Sequence, residues 1–416
     1  MKKYTATLLF IVFSKLLPAQ AVLSEHAKIS ILTASPWSGA AYSLYGHTAI
    51  WVSDDSTHID AVFNYGIFDT SKPHFVYNFS RGKADYIMGV TNITHFLKEY
   101  SERGSEVVEQ ELNLLQSEKN KLWEALYINA LPENRSYQYN YLYDNCVTRP
   151  RDLTEKFVVG TIHYPSDKKS QTARDLIHEC NHFFPWMEFG IDLLIGSDAD
   201  KPLTLRDKMF IPAYLMSAFD KATISRNDST NVPLVKNKSH LVYESADNVK
   251  PHWITKVATP LSTAYALLAL TIVVSAIQLL KLKKGKFTKI YDSLLFGSFG
   301  VAGFIICFMI FFSDQPATSP NWNVVWLNIF ALIFAFLFWI RSLQNLVYIY
   351  HFINFAVLLI FLLLWKHIPQ QLPLASIPFS INLMLRSATN LTTMRKRRLR
   401  KKQTVSSNYV KAAWGG

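Results

Sequence analysis

The chain has 416 residues, half of them hydrophobic, and carries a formal net charge of +12 at pH 7. This length is enough for about two or three domains, and the composition changes from mixed globular to long apolar runs near residue 255. Much of the basic excess flanks those runs, where it serves membrane topology and contact with anionic lipid. We therefore expect no nucleic-acid partner.

Residues 1–21 (MKKYTATLLFIVFSKLLPAQA) predict a secretory signal, because they have a basic start, a short apolar middle and a small-x-small end. Lys15 interrupts the apolar middle, which makes a permanent anchor the weaker interpretation. We expect cleavage after Ala21 and an exported domain over residues 22–250.

The exported part begins with three β-like runs, at residues 26–36, 45–54 and 59–69. The second and third are separated by the polar segment DDSTH and predict a hairpin. Apolar residues at helical spacing predict a helix over residues 114–131, with Ser117 as its cap. A further helix is expected to begin close to Asn145–Cys146 and to continue through RDLTEKF. This order of elements predicts an α+β domain.

One pair of residues in this domain suggests nucleophilic chemistry. His47 opens a predicted strand, and Cys146 stands at a predicted helix N-terminus, a position that lowers the pKa of a thiol. An imidazole can accept the thiol proton, and a third polar group usually orients the ring. Hairpin geometry favours Asn64 as the orienting residue, since Asp60 and His58 lie near the turn. Backbone N–H groups at the helix start are expected to stabilise an oxyanion.

Simpler interpretations of the same residues stay open. A single histidine is often a strand-edge residue, and a single cysteine is often a small buried hydrophobe. Cys146 and Cys180 could form a disulfide in an oxidising compartment, which would end the catalytic hypothesis. The segment HECNH (178–182) could bind zinc if it formed a strand, although an ordinary loop is favoured.

Long apolar runs predict a membrane domain over residues 251–390, because a bilayer core needs about 20 apolar residues per helix. The runs cover residues 258–280, 291–312, 323–341, 346–365 and 370–386. The last is short and broken by Pro373 and Pro378. His351 lies within the fourth run, either as a functional residue or as one that snorkels to water.

The charges of the connecting segments give an orientation. Residues 281–289 and 395–402 are strongly basic, whereas residues 313–323 contain no Lys or Arg. Because basic loops stay in the cytoplasm, we expect a periplasmic N-terminal domain, five crossings of the bacterial inner membrane and a cytoplasmic tail over residues 391–416. Four crossings would place the basic tail outside, so topology supports the weak fifth run.

The motif GHTAIWV, followed much later by DNC, resembles the permuted papain-like enzymes, the class that contains NlpC-like and lecithin:retinol acyltransferase (LRAT)-like proteins. A closer resemblance, to the Lnb-type lipoprotein N-acyltransferases, covers nearly the whole chain. It rests on the segments GHTAIWV, NYGIFD, FSRGKADY, PENRSYQYNYLYDNCVTRPRDL, FGIDLLIGSDAD, MFIPAYLM and SDQPATSPNWNVVW. This resemblance implies a permuted papain-like α+β exported domain followed by an all-α membrane domain of five helices.

The resemblance also implies a reaction. An acyl chain would move from the S-diacylglyceryl group of a bacterial lipoprotein to the α-amine of the same N-terminal cysteine, through a thioester on the enzyme. Cys146 matches the family's nucleophile and His47 its base, while Asn64 is assigned from the hairpin alone. Arg81 and Arg149 match family motif positions, where each could hold an anionic group or support the fold.

Diacylglyceryl-modified lipoproteins and membrane lipid are the expected partners, no metal or other cofactor is expected, and the oligomeric state stays open. Two other functions remain. One is a membrane-anchored cysteine hydrolase, acting as a cell-wall peptidase, an amidase or a lipid acyl hydrolase, which five crossings disfavour. The other is a non-catalytic envelope sensor or assembly factor, against which the presence of both Cys146 and His47 argues.

Overall fold

The computed structural model describes residues 22–68, 70, 73–226, 230–243, 256–281 and 285–414. The predicted secretory signal at residues 1–21 lies outside the described part. The chain forms two compact units. Unit 1 consists of Met1–Pro73, Ala84–Lys168 and Thr204–Asn248, and unit 2 of His74–Lys83, Lys169–Leu203 and Val249–Gly416.

The strands of the described residues all lie in unit 1. They are β1 (Lys28–Ala34), β2 (His47–Asp54), β3 (Ile59–Ile67), β4 (Asp85–Thr91), β5 (Val107–Leu112), β6 (Ser136–Gln138), β7 (Thr161–His163), β8 (Thr223–Arg226), β9 (Thr230–Pro233) and β10 (Val235–Val242). Seven of them form a sheet in the order β10-β5-β1-β2-β3-β4-β6, and the others form a second sheet in the order β7-β8-β9. All pairings are antiparallel.

Helices occur in both units. In chain order they are α1 (Phe75–Ser80), α2 (Ile93–Arg103), α3 (Gln116–Ala130), α4 (Thr148–Phe157), α5 (Ala173–Asn181), α6 (Pro185–Leu194), α7 (Leu205–Lys208), α8 (Pro212–Lys221), α9 (Pro260–Lys281), α10 (Lys286–Phe312), α11 (Phe330–Leu337), α12 (Gln344–Leu363) and α13 (Ser376–Trp414). Short 3₁₀ helices cover Ala41–Tyr45, Ser197–Asp200, Trp322–Val325, Arg341–Leu343 and Trp365–His367.

The seven-stranded sheet buries both faces, because side chains alternate along each strand. On one face, residues such as Ile31 and Phe63 pack with Trp123 of α3 and Phe219 of α8. On the other face, Leu32 and its neighbours pack with α2. Helices therefore cover the central strands on two sides, and the hairpin β2–β3 lies in the middle of the sheet.

The predicted hairpin is confirmed, with Ala49 paired to Asn64 and Asp54 paired to Ile59. The predicted helix over residues 114–131 is present as α3, but Ser117 does not cap it. Glu118 does so instead, since its carboxylate accepts a 2.6 Å hydrogen bond from the N–H of Leu115. The α+β domain followed by a helical domain is the predicted fold class, and the structure confirms it.

Each predicted apolar run corresponds to a helical segment of unit 2. Among the described residues, Pro260–Lys281, Lys286–Phe312 and Arg341–Leu363 are long and apolar enough to cross a membrane. The apolar helix Trp322–Leu337 is shorter. The weak fifth run appears as α13, which continues from Ser376 through the basic segment, so no break separates the expected tail from this helix.

Helix α13 carries a buried polar face in addition to its basic segment. Arg386 is fully buried and donates to Asp292 Oδ1 of α10 at 2.6 Å, with further bonds to Ser275 and Gln278 of α9. Asn390 donates to the second oxygen of Asp292 at 2.9 Å. Burying an ion pair is favourable only when such additional hydrogen bonds complete it. This network therefore explains how a helix with a charged interior position packs in an apolar bundle.

His351 is fully buried in the helical bundle, so the interpretation that it snorkels to water is wrong. Its Nδ1 lies 3.3 Å from Ser387 Oγ on α13, and its ring stacks on Phe338 with centroids 5.1 Å apart. The aromatic neighbours hold the imidazole between helices and away from the helix end.

Residues 169–203 belong to unit 2 although they lie within the expected exported domain. The fully buried guanidinium of Arg174 binds Asp192 and Asp200, each at 2.7 Å, and so ties α5 to α6 and to the 3₁₀ helix that follows. Asn323 then donates to the carbonyl of Asp192 at 3.0 Å. These bonds fix the segment to the loop before α11.

We predict that Arg386→Ala destabilises the protein by about 3–5 kcal/mol, because it leaves the Asp292 carboxylate buried without its partner. Thermal unfolding of the detergent-solubilised full chain measures this loss. The double variant Asp292→Leu/Arg386→Met should recover most of it. Arg398→Ala, an exposed position on the same helix, is the matched control, and an equal loss there would contradict the assignment.

Candidate active site

The hairpin places His47 and Asn64 on the same face of neighbouring strands. Asn64 lies opposite Ala49, which is two residues from His47 and therefore on its face. The Nε2 atom of His47 lies 3.2 Å from Oδ1 of Asn64, and the Asn64 amide nitrogen donates to the carbonyl of Val62 at 3.3 Å. Because Oδ1 can only accept, Nε2 carries the proton, which leaves a lone pair on Nδ1.

Gly46 fixes where strand β2 begins. Its φ is +81°, and a Cβ there would approach the carbonyl oxygen of Ala34 to 2.6 Å. Only glycine fits this combination of positive φ and close approach. Ala34 is also the partner of His47 in the sheet, so the glycine sets the histidine at the first position of the strand.

A turn built around Asn145 positions the cysteine. The side-chain oxygen of Asn145 accepts from the N–H groups of Val147 and Thr148 at 2.8 and 2.9 Å. Its amide nitrogen donates to the carbonyls of Tyr141 and Phe210. Helix α4 therefore begins at Thr148, later than expected. The N–H groups of Val147 and Thr148 are therefore bound to Asn145, whereas the N–H of Cys146 itself lies beside the sulfur. The prediction that N–H groups near the helix start stabilise an oxyanion stays a prediction.

Pro150 lies in the first turn of α4, where a missing N–H leaves no helical hydrogen bond unmade. Cys146 stands two residues before this helix and is half-buried. The N–H groups of Thr48 and of Cys146 itself and the hydroxyl of Tyr139 lie close enough to its sulfur to lower the thiol pKa. A Cβ at Gly66, on strand β3, would lie 3.6 Å from the Cβ of Cys146. The structure thus brings the thiol to the residue that follows His47.

Burial decides the charges of this site. It raises the pKa of Cys146 to about 11, against the opposing hydrogen bonds from Thr48 and Tyr139. Burial also lowers the pKa of His47 to about 4, with a smaller contribution from Arg103, against the hydrogen bond of Asn64. The expected lowering of the thiol pKa by a helix terminus is wrong, because desolvation is the larger effect. At pH 7 the thiol and the imidazole are both neutral.

A neutral thiol and a neutral imidazole suit a mechanism in which the imidazole accepts the thiol proton while the sulfur attacks the substrate. A neutral imidazole is a base, and a neutral thiol in a desolvated place resists reaction with water-borne electrophiles. Burial raises the pKa of Tyr139 as well, so its phenol keeps its proton and remains a donor near the sulfur. The site can therefore supply a nucleophile, a base, an orienting amide and a neutral hydrogen-bond donor.

The two arginines have different surroundings. Arg149 binds Asp144 through Nε and Nη2, at 2.5 and 2.8 Å, and its guanidinium lies 3.6 Å from the ring centroid of Tyr137. Its charge is balanced, which favours the role of supporting the fold. Arg81 belongs to unit 2, where its Nε donates to the carbonyl of Phe312 at 3.3 Å.

Cys146, Cys180 and Cys307 are free thiols, so the disulfide alternative is not present in the structure. The HECNH segment is neither a strand nor a loop, since residues 178–181 end helix α5. The Nε2 atom of His178 lies 2.9 Å from Oδ1 of Asp192. Within the described ranges, no group of three or more His, Cys, Asp or Glu side chains could hold a metal ion.

Thr48, Tyr139 and Asn145 belong to the site but were not predicted as parts of it from the sequence. Tyr139 lies in an aromatic run without periodicity, and Thr48 acts through its backbone, so neither has a sequence signal. Asn145 did have a sequence signal, because the residue that caps a turn before a helix is often Asn. An open cleft of about 430 Å³ in unit 1 is lined by charged residues that include Asp144, Arg149 and Lys156, together with Tyr65, Tyr143 and Leu153.

The fold and the site define a polytopic membrane protein whose sheet-rich unit holds a cysteine beside a histidine-bearing strand. Two protein-family models match the chain, the Lnb N-terminal periplasmic domain over residues 17–179 and the Lnb transmembrane domain over residues 253–398. Together they cover most of its length, and the chain belongs to the Lnb-type lipoprotein N-acyltransferase family, as predicted. It is a membrane enzyme of lipoprotein modification. No curated protein and no solved structure matches it.

We predict that alkylation of Cys146 in the full-length protein is slow at pH 7 and rises about tenfold per pH unit up to about pH 10, because only the thiolate reacts. The reason is the thiol pKa of about 11. Mass spectrometry of the peptide that contains Cys146, after timed exposure to iodoacetamide, gives the rates. Glutathione is the reference thiol. A rate that levels off below pH 8 would instead indicate a preformed thiolate–imidazolium pair.

Proposed function

We propose that the protein is a lipoprotein N-acyltransferase that moves an acyl chain from the S-diacylglyceryl group to the α-amine of the lipoprotein's N-terminal cysteine. The observation that supports this most is the 3.2 Å hydrogen bond between His47 and Asn64, which leaves Nδ1 of the imidazole able to accept a proton. The contact of Cys146 with the N–H of Thr48 brings a nucleophile to the same strand. Family membership supports the substrate class.

The first half of the proposed reaction forms an acyl-enzyme. Nδ1 of His47 takes the proton of the Cys146 thiol as the sulfur attacks an ester carbonyl of the diacylglyceryl group. The carbonyl carbon then loses the glyceryl oxygen, to which His47 returns the proton. The products are a thioester on Cys146 and a lyso-glyceryl lipoprotein. The N–H groups of Thr48 and Cys146 and the hydroxyl of Tyr139 are donors beside the sulfur, and we assign the oxyanion to them.

The second half uses the lipoprotein's own amine. The neutral α-amine attacks the thioester carbonyl, its proton passes to His47, and the carbon–sulfur bond breaks. The sulfur recovers its proton, which restores the neutral pair. Atoms and charge balance without a nucleotide or metal, since the ester bond supplies the activated acyl group. Partial burial of the thiol serves this step, because water at the thioester would hydrolyse it.

The helical unit supports the same proposal because the proposed substrate is bound to the membrane. A diacylated lipoprotein stays in the membrane, and three helices among the described residues of unit 2 are long and apolar enough to cross one. We place the protein in the bacterial inner membrane, with the sheet-rich domain in the periplasm and the basic C-terminal segment in the cytoplasm, on the distribution of Lys and Arg. Diacylglyceryl lipoproteins are the proposed partners.

We predict that expression of this chain in a host depleted of its own N-acyltransferase yields lipoproteins that are N-acylated and carry one O-acyl chain. Mass spectrometry of N-terminal lipopeptides detects this product. Cys146→Ala should abolish it, whereas Cys180→Ala, which removes the other thiol of the segments outside the membrane spans, should preserve it. Free fatty acid with unmodified amines would indicate a hydrolase. Product formation by Cys146→Ala would move the nucleophile elsewhere.

We predict that His47→Ala lowers the rate of transfer about 10²- to 10⁴-fold, the usual contribution of a general base. Asn64→Ala should lower it less, because only the orientation and tautomer of the ring are lost. Asn64→Asp keeps an acceptor and adds a carboxylate that raises the pKa of His47 from about 4. The pH–rate profile of the purified full-length enzyme should therefore shift to higher pH. An unchanged profile would argue against contact between residue 64 and the base.

A further inference from the structure

The connection between strands β3 and β4 leaves the sheet-rich unit. Residues 74–83 of this connection belong to unit 2, where they bind the segment that follows helix α10. The N–H of Asp314 donates to the carbonyl of Arg81 at 2.9 Å, and the side chain of Gln315 donates to the carbonyl of Phe79 at 2.8 Å. Ser313 also donates to the carbonyl of Ser80. Helix α1 is therefore fixed to the end of a membrane-crossing helix.

Helix α1 turns apolar side chains outwards. Val76, Tyr77 and Phe79 are 75%, 52% and 46% exposed, and no residue of α1 is buried. The neighbouring end of α10 is also apolar and exposed, at Phe311 and Phe312. Large exposed apolar groups in one place mark a contact surface. The contact surface of α1 is thus continuous with the surface of a helix that crosses the membrane.

The depth of α1 follows from its contact with α10. After Asp292, residues 293–312 of α10 carry no charged side chain and span about 30 Å, the thickness of a bilayer core. The ring of Tyr77 packs against Phe308, with centroids 6.3 Å apart, one helical turn before this stretch ends. Helix α1 therefore lies at the level where hydrocarbon gives way to headgroups, and aromatic residues favour that level.

We propose that α1 is an interfacial element, with Val76, Tyr77 and Phe79 immersed in the bilayer at the outer end of α10. The charged groups fit this placement, because Arg81 and Lys83 follow the helix on the side of the polar loop and Lys83 pairs with Asp314 at 3.4 Å. Basic side chains beside an apolar face are typical of elements that lie in a membrane surface. This inference does not depend on the proposed reaction.

The test labels position 76 with an environment-sensitive probe. Val76→Cys is made in the full chain with Cys146, Cys180 and Cys307 replaced by alanine, and the thiol is coupled to a nitrobenzoxadiazole (NBD) fluorophore. The protein is reconstituted in vesicles of phosphatidylcholine and phosphatidylglycerol. Quenching is measured with aqueous iodide and, separately, with phosphatidylcholine brominated along the acyl chain. We expect a blue-shifted emission that brominated lipid quenches and iodide does not.

Two matched positions calibrate the result. Phe304→Cys, exposed in the middle of α10, should be quenched by brominated lipid, and more strongly by deep than by shallow bromine. Ser56→Cys, exposed in the turn between β2 and β3, should be quenched only by iodide. A probe at position 76 that behaves like the one at position 56 would overturn the proposal. Shielding from both quenchers would also overturn it, because a protein would then cover the face.

A second measurement uses the chain with its cysteines intact. A photoreactive benzoylphenylalanine is placed at position 76 in cells, and the crosslinked products are analysed by mass. We expect adducts with phospholipid, whereas the same group at position 56 should give none. Adducts with another protein, or with a second copy of this chain, in place of lipid would contradict immersion in the bilayer.

Discussion

The hydrogen bond between His47 and Asn64 is the constraint on which the proposed chemistry depends. It requires a proton on Nε2 and so leaves Nδ1 as the basic atom. The hairpin register supplies the two side chains on one face, and Gly46 fixes where the strand begins. The turn around Asn145 then brings Cys146 to the following residue of that strand. The hairpin and the turn therefore determine where the imidazole, the orienting amide and the thiol lie.

Burial explains why the pair rests in its neutral form. The thiol pKa is raised to about 11 and the imidazole pKa lowered to about 4, both chiefly by desolvation. Separating charge in such a place is costly until a substrate carbonyl accepts the developing negative charge. A site of this kind reacts slowly with thiol reagents in water and favours substrates that fill it, which agrees with a lipid-borne ester as the proposed donor.

The sequence predicted what alternating and helical patterns determine, namely the hairpin with His47 and Asn64, helix α3 and the positions of the apolar helices. It did not predict features that depend on tertiary contacts. The Glu118 carboxylate replaced Ser117 as a cap, and desolvation outweighed the helix terminus at Cys146. Residues 74–83 and 169–203 join unit 2 through bonds between distant segments, which no local pattern records. The role of the polar face of α13 likewise depends on a residue of another helix, because Arg386 pairs with Asp292 of α10.

In the proposed reaction Cys146 carries the acyl chain as a thioester, and trapping that intermediate is the most direct test. A diacylglyceryl lipopeptide with an acetylated α-amine can donate an acyl chain but cannot accept one. Intact mass spectrometry of the full-length enzyme should then show one added acyl chain, located at Cys146 and released by neutral hydroxylamine. Lyso-lipopeptide formed while Cys146 stays unmodified, or an acyl group still attached in Cys146→Ala, would contradict the account.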